Sequence, residues 1–123
     1  MNQDNQPANS SPVTLINVFE VPTEHVDLFI AQWRERAALM STKPGFLDSR
    51  LHSALSSQTR FQLVNVAHWE SREAWQAATA DPEFQERISA VTAEAQMPIS
   101  ANPALYQVAI EFSGPAPYEH RRT

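Results

Sequence analysis

The segment Arg60–Trp69 (RFQLVNVAHW) constrains the fold more than any other part of the sequence, because it has the composition of a β-strand and is apolar on both sides. Alternate side chains of a strand point to opposite faces of a sheet. One face would carry Phe61, Leu63, Asn65, Ala67 and Trp69, and the other Gln62, Val64, Val66 and His68. A sheet covered by helices on one face only would alternate apolar and polar residues, so this strand predicts a sheet that is covered on both faces.

A strand and a long helix are predicted upstream of this segment. The strand is Val13–Glu20, which is rich in β-branched and aromatic residues and is closed by Pro22. Thr23 is suited to cap the helix that follows. Apolar residues spaced three and four apart predict that helix, namely Val26, Phe29, Ile30, Trp33, Ala37 and Met40. It would end at the turn 42–45, which contains a proline and a glycine.

Further segments complete the domain. Phe46–Leu55 is predicted to be a strand that forms a hairpin with the segment described first. Ser71 and Asp81 are suited to cap two short helices. The apolar residues of the second of these helices are Phe84, Ile88, Val91 and Ala95. Met97–Pro103, with two prolines, is predicted to be a loop, and Ala104–Phe112 the last strand.

The resulting order, β-α-β-β-α-β, is that of ferredoxin-like α+β domains, in which two helices cover one face of a four-stranded antiparallel sheet. The second face would be left open although it is substantially apolar. The simplest cover is the same face of a second copy, so the sequence predicts a homodimer, a dimeric α+β barrel. The domain would span residues 13–112, with a disordered tail over 1–12 and an irregular tail over 113–123.

Composition excludes several classes of function. A formal net charge of -5 does not suit a nucleic-acid or anionic-membrane partner. Without cysteine, the chain has no disulfide, thiolate nucleophile or cysteine-ligated metal. Its two glycines form no phosphate-binding loop, and its four histidines lack the spacing of metal ligands, so neither a nucleotide nor a metal is expected. The absence of a secretory signal and of a membrane-length apolar run predicts a cytoplasmic protein.

Two asparagines in the middle of predicted strands are the least usual polar residues. Asn17 stands between Leu15 and Phe19, and Asn65 lies four residues before Trp69 on the same face of its strand. A buried amide without partners costs about 1–3 kcal/mol, so each asparagine needs a polar neighbour or a ligand. Either these amides are satisfied within the fold, or Asn17, Asn65 and Trp69 are the polar groups of a binding site.

The walls of such a site are expected from apolar residues of the first helix and the third strand. These residues are Phe29, Trp33, Leu63 and Ala67. His52 and His68 lie on the predicted hairpin, where they could face each other. They are therefore the candidates for an acid or base.

The chain resembles the antibiotic-biosynthesis monooxygenase superfamily of dimeric α+β barrels over nearly all of residues 13–112. The segments that carry the resemblance are Thr14–Pro22 (TLINVFEVP), Lys43–Phe46 (KPGF), Phe61–Ser71 (FQLVNVAHWES) and Asp81–Phe84 (DPEF). Within this superfamily, the cofactor-independent oxygenases that form quinones use an Asn on the first strand and Asn-x-x-x-Trp on the third. The chain is similar at all three places, with Asn17, Asn65 and Trp69. The resemblance implies that these residues are catalytic and that O₂ oxidises an anthrone-like or polyphenolic substrate without a cofactor.

Two other functions stay open. Haem-degrading relatives share the first-strand Asn and the third-strand Trp, but they add an axial His on the following helix. Residues 82–95 contain no His, and Ile88 stands about where it would be. Iron would then need a ligand from elsewhere, such as His25, His52 or His68. The remaining function is that of a ligand-binding or structural dimer without turnover, because a fold does not fix a function.

Overall fold

A computed structural model describes residues 11–87 and 99–115 and contains one antiparallel sheet. In chain order the elements are β1 (Val13–Glu20), a 3₁₀ turn (Thr23–His25), α1 (Val26–Met40), β2 (Phe46–Ser53), β3 (Leu63–Trp69), α2 (Arg72–Thr79) and β4 (Ser100–Tyr106). Residues 82–87 are also helical. The strand order is β2-β3-β1-β4, with every neighbouring pair antiparallel. The predicted ferredoxin-like α+β fold with a four-stranded sheet is confirmed.

The two faces of the sheet differ as the alternation in β3 predicts. Leu63, Asn65, Ala67 and Trp69 are buried on the face covered by the helices. On the opposite face Val64 and Val66 are half-buried and His68 is exposed. In register with these three residues lie Thr14, Ile16 and Val18 of β1. The open face is therefore apolar at its centre, where β1 meets β3.

The last strand lies upstream of its predicted position. Ala104–Phe112 was expected to be a strand after a loop, but β4 begins at Ser100 and ends at Tyr106. Tyr106 pairs with Thr14 near the start of β1, and the preceding Pro12 has no N–H to continue the ladder. Pro103 is tolerated within β4 because β4 is an edge strand.

The remaining boundaries differ from the prediction for local reasons. The Gln62 side chain donates to the carbonyls of Ser56 and Thr59, which stabilises the loop between β2 and β3 and shortens both strands. Thr23 does not cap α1, which is entered through the 3₁₀ turn instead. Ser71 does cap α2, because its Oγ accepts from the Ala74 N–H at 3.0 Å. The predicted burial of Ile88, Val91 and Ala95 lies outside the described residues.

Asp81 caps the helical segment 82–87, as predicted. Its Oδ2 accepts from the Phe84 N–H at 3.1 Å and from the Lys43 ammonium, also at 3.1 Å. The Lys43 hydrogen bond, followed by that from Phe84, lowers the pKa of the Asp81 carboxyl below its usual value. Asp81 therefore joins the turn after α1 to the helical segment after α2. Within residues 11–87 and 99–115, no helix is both long enough and apolar enough to span a membrane.

A β-bulge at the start of β2 decides which side chain enters the core. Phe46 pairs with Trp69, but the next pair is Asp48 with His68, so Leu47 is the extra residue. Phe46 consequently faces the helices and packs edge-on against Trp69, with the ring centroids 5.2 Å apart. Leu47 is left 51% exposed. Beyond the bulge, Ser49 and Leu51 pair with Ala67 and Asn65, residues of the buried face.

Gly45, at the turn into β2, generates a stability prediction. Its φ of +88° is costly for an L-residue, and a Cβ there would lie 2.5 Å from the Ala74 Cβ of α2. Gly45→Ala should therefore lower the free energy of unfolding by at least about 1 kcal/mol in urea denaturation. Gly114→Ala is the matched control, because no atom of residues 11–87 or 99–115 outside its own neighbours lies within 4 Å of the added Cβ. An equal effect of the two substitutions would contradict this account of Gly45.

Candidate functional site

A cavity of about 280 Å³ lies between the sheet and the helices. Its walls come from all four strands, from α1 and α2, and from the segment after α2. The lining residues are Leu15, Asn17, Trp33, Arg36, Ala37, Met40, Phe46, Ser49, Asn65, Ala67, Trp69, Trp75, Thr79, Phe84 and Pro103. Most of these side chains are apolar, and the few polar groups lie among them, as in pockets that bind small organic molecules.

The two asparagines form a polar row that divides the core. Asn17 pairs directly with Asn65 across β1 and β3, and both are buried, with 8% and 4% exposure. On one side of this row lies a cluster built on Phe19, Val21, Phe29 and Leu63. On the other side lies a cluster built on Val13, Ala67, Trp69 and Ala78. The cavity lies beside this row, and its apolar walls come mainly from the second cluster, with Trp33 contributed by the first.

Each asparagine has its oxygen held by the fold. Asn17 Oδ1 accepts from the backbone N–H of Asn102 at 2.9 Å. Asn65 Oδ1 accepts from the Ser49 hydroxyl at 2.7 Å. These bonds orient the amide groups, and neither Nδ2 has a hydrogen-bond partner within the described residues. The two amides are therefore fixed as N–H donors in the wall of the cavity.

Two indole N–H groups add to this set of donors. Nε1 of Trp69 and Nε1 of Trp75 are buried and have no partner among the residues that the structure describes. Trp69 is 1% exposed and is held by its contact with Phe46. A buried N–H without an acceptor costs about 1–3 kcal/mol, and such groups are rare in folded proteins. Both indoles line the same cavity, where a ligand could accept from them.

Arg36 supplies a cation to the cavity. Its guanidinium carbon lies 4.7 Å from the centroid of the Trp33 ring, and its Nε is buried without a partner. Burial lowers the pKa of Arg36 to about 10, so the group is still charged at neutral pH. No carboxylate or imidazole lines the cavity in the described part of the chain. The polar character of the cavity is therefore that of N–H donors, one of which is charged.

Such an arrangement is suited to stabilise negative charge on oxygen. Preorganised amide and indole donors in a site with little water bind an oxyanion more strongly than a neutral carbonyl. The described residues contain no group of three or more His, Cys, Asp or Glu side chains that could hold a metal ion. The chemistry that the cavity supports is thus oxyanion stabilisation beside apolar and aromatic walls.

The structure brings together some of the residues predicted from the sequence. Asn17, Asn65 and Trp69 line one cavity, together with Trp33 and Ala67. Phe29 and Leu63 do not line it. Both belong to the cluster around Phe19, where Phe29 packs against the Phe19 ring at 4.8 Å and Leu63 is fully buried.

The two histidines lie away from the cavity. His68 is on the opposite face of the sheet, where its Nδ1 is 2.6 Å from Asp48 Oδ1. His52 shares that face, because it pairs with Val64, and it is exposed. The strand alternation that places Asn65 and Trp69 under the helices necessarily places His68 on the other side.

Arg36 and Trp75 are site residues that sequence reasoning missed. Arg36 lies three residues after Trp33 and four before Met40, and is therefore on the apolar stripe of α1. A charged residue on the apolar face of a predicted helix is a sequence signal that indicates a polar site in the core. For Trp75 the sequence contains no comparable signal, because a tryptophan on a short helix is more simply explained by packing.

Comparison with known proteins identifies a family and several proteins that are similar to this chain. The sequence profile described as "Antibiotic biosynthesis monooxygenase" matches residues 12–89. A heme oxygenase (mycobilin-producing) from Mycobacterium tuberculosis is 30% identical over 105 residues, which is 84% of this chain and 94% of the relative. The structure of a candidate monooxygenase from Shewanella loihica has a TM-score of 0.66 and 31% identity, covering 83% of this chain and 98% of that one. SnoaB, a cofactor-independent oxygenase from Streptomyces nogalater, has a TM-score of 0.66 and 24% identity, covering 85% and 99%, a similarity of fold.

Proposed function

Because the chain belongs to the antibiotic biosynthesis monooxygenase family, we propose that it is a cofactor-independent oxygenase that uses O₂ to convert an anthrone-like or polyphenolic aromatic into a quinone. The observation that carries this proposal is the set of oriented N–H donors at Asn17, Asn65 and Trp69 beside an apolar cavity. The flat ring of such a substrate would pack against the apolar walls, and its oxygen would accept hydrogen bonds from the donors.

The proposed reaction begins with loss of a proton from the bound substrate. The resulting enolate transfers one electron to O₂, and the substrate radical and superoxide combine to form a carbon–oxygen bond. Protonation gives a hydroperoxide, which loses water to leave the carbonyl of the quinone. The net change is replacement of a CH₂ group by C=O, with one oxygen atom of O₂ in the product and the other in water.

The donors act mainly on the first step. Asn17 and Asn65 would donate to the enolate oxygen as its charge develops, and one such preorganised donor is worth about 3–4 kcal/mol. Trp69 contributes an N–H and an aromatic wall. The proposal assigns no protein base, because His52 and His68 lie on the other face and no described carboxylate lines the cavity. The substrate proton is released to water, driven by stabilisation of the anion.

Haem degradation is the second candidate, favoured by the relative from Mycobacterium tuberculosis. The described lining residues do not fit a haem, because none is a histidine, cysteine or tyrosine. Met40 contributes a thioether, but in cytochromes this ligand acts together with a histidine. The cavity volume of about 280 Å³ is also slightly below the range of roughly 300–1,000 Å³ that is typical of small-molecule pockets. We therefore derive no step through haem.

The open face of the sheet supports a homodimer as part of the proposal. Ile16, Val18, Val64 and Val66 form its half-buried apolar centre. Around them lie Asp48, Arg50, His52, His68 and Asn102. An apolar centre within a polar rim is the usual organisation of a protein interface. A second copy would also cover the exposed apolar residues that follow β4, which are Val108, Ile110 and Phe112.

The oxygenase proposal predicts the effect of two substitutions. Asn65→Ala and Trp69→Phe should each lower the rate of quinone formation from an anthrone and O₂ at least about tenfold, or 1.4 kcal/mol in the barrier. The rate is measured by absorbance, and circular dichroism checks that the fold is retained. Gln76→Ala is the matched control, because it removes an amide from an exposed position of α2. If the two variants lose only thermal stability, the residues are structural. If the wild-type protein forms no quinone, it is a binding or structural protein.

Haem is tested in parallel with the anthrone. We expect the purified protein to show no Soret band, and added haem to be lost on gel filtration, because the described cavity has no axial histidine. A stoichiometric haem complex that survives gel filtration would favour the second candidate function over the first.

The dimer proposal predicts a mass of twice the 13.8 kDa chain in gel filtration with light scattering. Ile16→Asp should give a monomer, because it would place two uncompensated carboxylates in the apolar centre of the two-fold interface. Leu55→Asp, a fully exposed position in the loop after β2, should stay dimeric. A wild-type monomer at micromolar concentration would count against the barrel, as would a dimeric Ile16→Asp variant.

A further inference from the structure

Arg36 is a half-buried cation that the proposed reaction does not use. Its Nε is buried and has no hydrogen-bond partner among the described residues, although the chain carries more acidic than basic groups. Its contact with the Trp33 ring offsets only part of the lost hydration, because a ring face accepts no N–H hydrogen bond of normal strength. A guanidinium in this situation would be better stabilised by an anion brought by a ligand.

The position of Arg36 places it across the cavity from the asparagines. On α1 it lies between Trp33, which packs against the cluster around Phe19, and Met40, which packs against the cluster around Trp69. The polar row of Asn17 and Asn65 separates the same two clusters in the sheet. Helix and sheet therefore each present their polar groups at the gap between the clusters. A flat ligand in this gap can be held by the amides at one edge and by Arg36 at another.

The chemistry of Arg36 specifies the kind of anion. A guanidinium is planar and offers parallel N–H bonds, which match the two oxygens of a carboxylate. The unpaired Nε is one member of such a parallel pair. A single amide or indole donor cannot supply this geometry. The other donors of the cavity are neutral and better suited to a carbonyl or enolate oxygen.

We propose that the substrate is an aromatic carboxylic acid, whose carboxylate binds to Arg36 while the oxygen at the reacting ring binds to Asn17 and Asn65. This inference rests on the proposed function for the reacting oxygen, and on Arg36 alone for the acid. Arg36 is a specificity-determining residue in this scheme, since it binds a group remote from the reacting carbon.

Two stable quinones test the proposal without turnover. Anthraquinone-2-carboxylate and anthraquinone-2-carboxamide have the same ring system and differ in charge. Their dissociation constants are measured by titration calorimetry for the wild-type protein and for Arg36→Met, Arg36→Lys and Arg34→Met. Arg34 is exposed on the same helix, so its substitution makes the same change in charge outside the cavity. All three tryptophans of the chain line the cavity, so fluorescence quenching provides a second reading of binding.

The wild-type protein should prefer the carboxylate over the amide at least about tenfold. Arg36→Met should abolish this preference and leave the affinity for the amide within about twofold of wild type, while Arg36→Lys should retain part of the preference. Arg34→Met should retain all of it. Without ligand, Arg36→Met should also melt at a higher temperature than wild type, because it removes a half-buried charged group whose Nε has no partner among the described residues.

Several results would overturn the proposal. These are equal binding of the two quinones by the wild-type protein, an equal loss of both in Arg36→Met, and no binding of either. Anthrone oxidation separates this proposal from the oxygenase proposal. If the carboxylate binds through Arg36 but no anthrone is oxidised, the oxygenase proposal fails alone. If an anthrone is oxidised through Asn65 but charge has no effect on binding, the acid proposal fails alone.

Discussion

The pairing of Asn17 with Asn65 at the centre of the sheet determines where the cavity can lie. In a purely apolar core, the side chains of β1 and β3 would pack continuously from Val13 to Phe19. The asparagine row interrupts this packing and leaves two separate clusters. The side-chain oxygens of the two asparagines accept hydrogen bonds from the Asn102 N–H and the Ser49 hydroxyl. Their side-chain nitrogens are therefore left as donors toward the cavity. One cross-strand pair thus accounts for the gap in the core and for its polarity.

The unsatisfied N–H groups that line the cavity lower the stability of the fold. Three side-chain N–H groups are fully shielded from solvent without a partner in the described residues, those of Arg36 Nε, Trp69 Nε1 and Trp75 Nε1, and all three residues line this cavity. At about 1–3 kcal/mol for each unsatisfied group, their combined cost is comparable with the total stability of about 5–15 kcal/mol of a typical domain. Unsatisfied groups of this kind that converge on one cavity are typical of a binding site rather than of a packing defect.

Sequence reasoning predicted the fold better than the site. The alternation in β3 was sufficient to place Asn65 and Trp69 under the helices, because each side chain of a strand points to one of the two faces of the sheet. The fourth strand was misplaced, because the apolar alternation over residues 104–112 continues past the point where β1 can pair with it. Phe29 and Leu63 point to the same side as the site residues, but their positions along α1 and β3 place them in the cluster around Phe19 and not at the cavity. The periodicity of a sequence predicts to which face of an element a side chain points. Whether that side chain then reaches the cavity depends on how α1 crosses the sheet. Arg36 was missed because only apolar wall residues were predicted from α1, whereas the polar site residues were predicted from the strands.

The bulge at Leu47 has a consequence for how this site can change in evolution. Side chains on one face of a strand exchange faces when a single residue is inserted or removed. The extra residue at Leu47 allows Phe46 to contact Trp69 while Ser49, only three positions later, reaches Asn65. Without it, either the aromatic support of the indole or the hydroxyl that orients the amide would turn to the open face. A one-residue deletion in β2 would therefore alter the site more than most substitutions in its wall. Homologues that bind a different ligand could arise through a change in strand length, with every lining residue type retained.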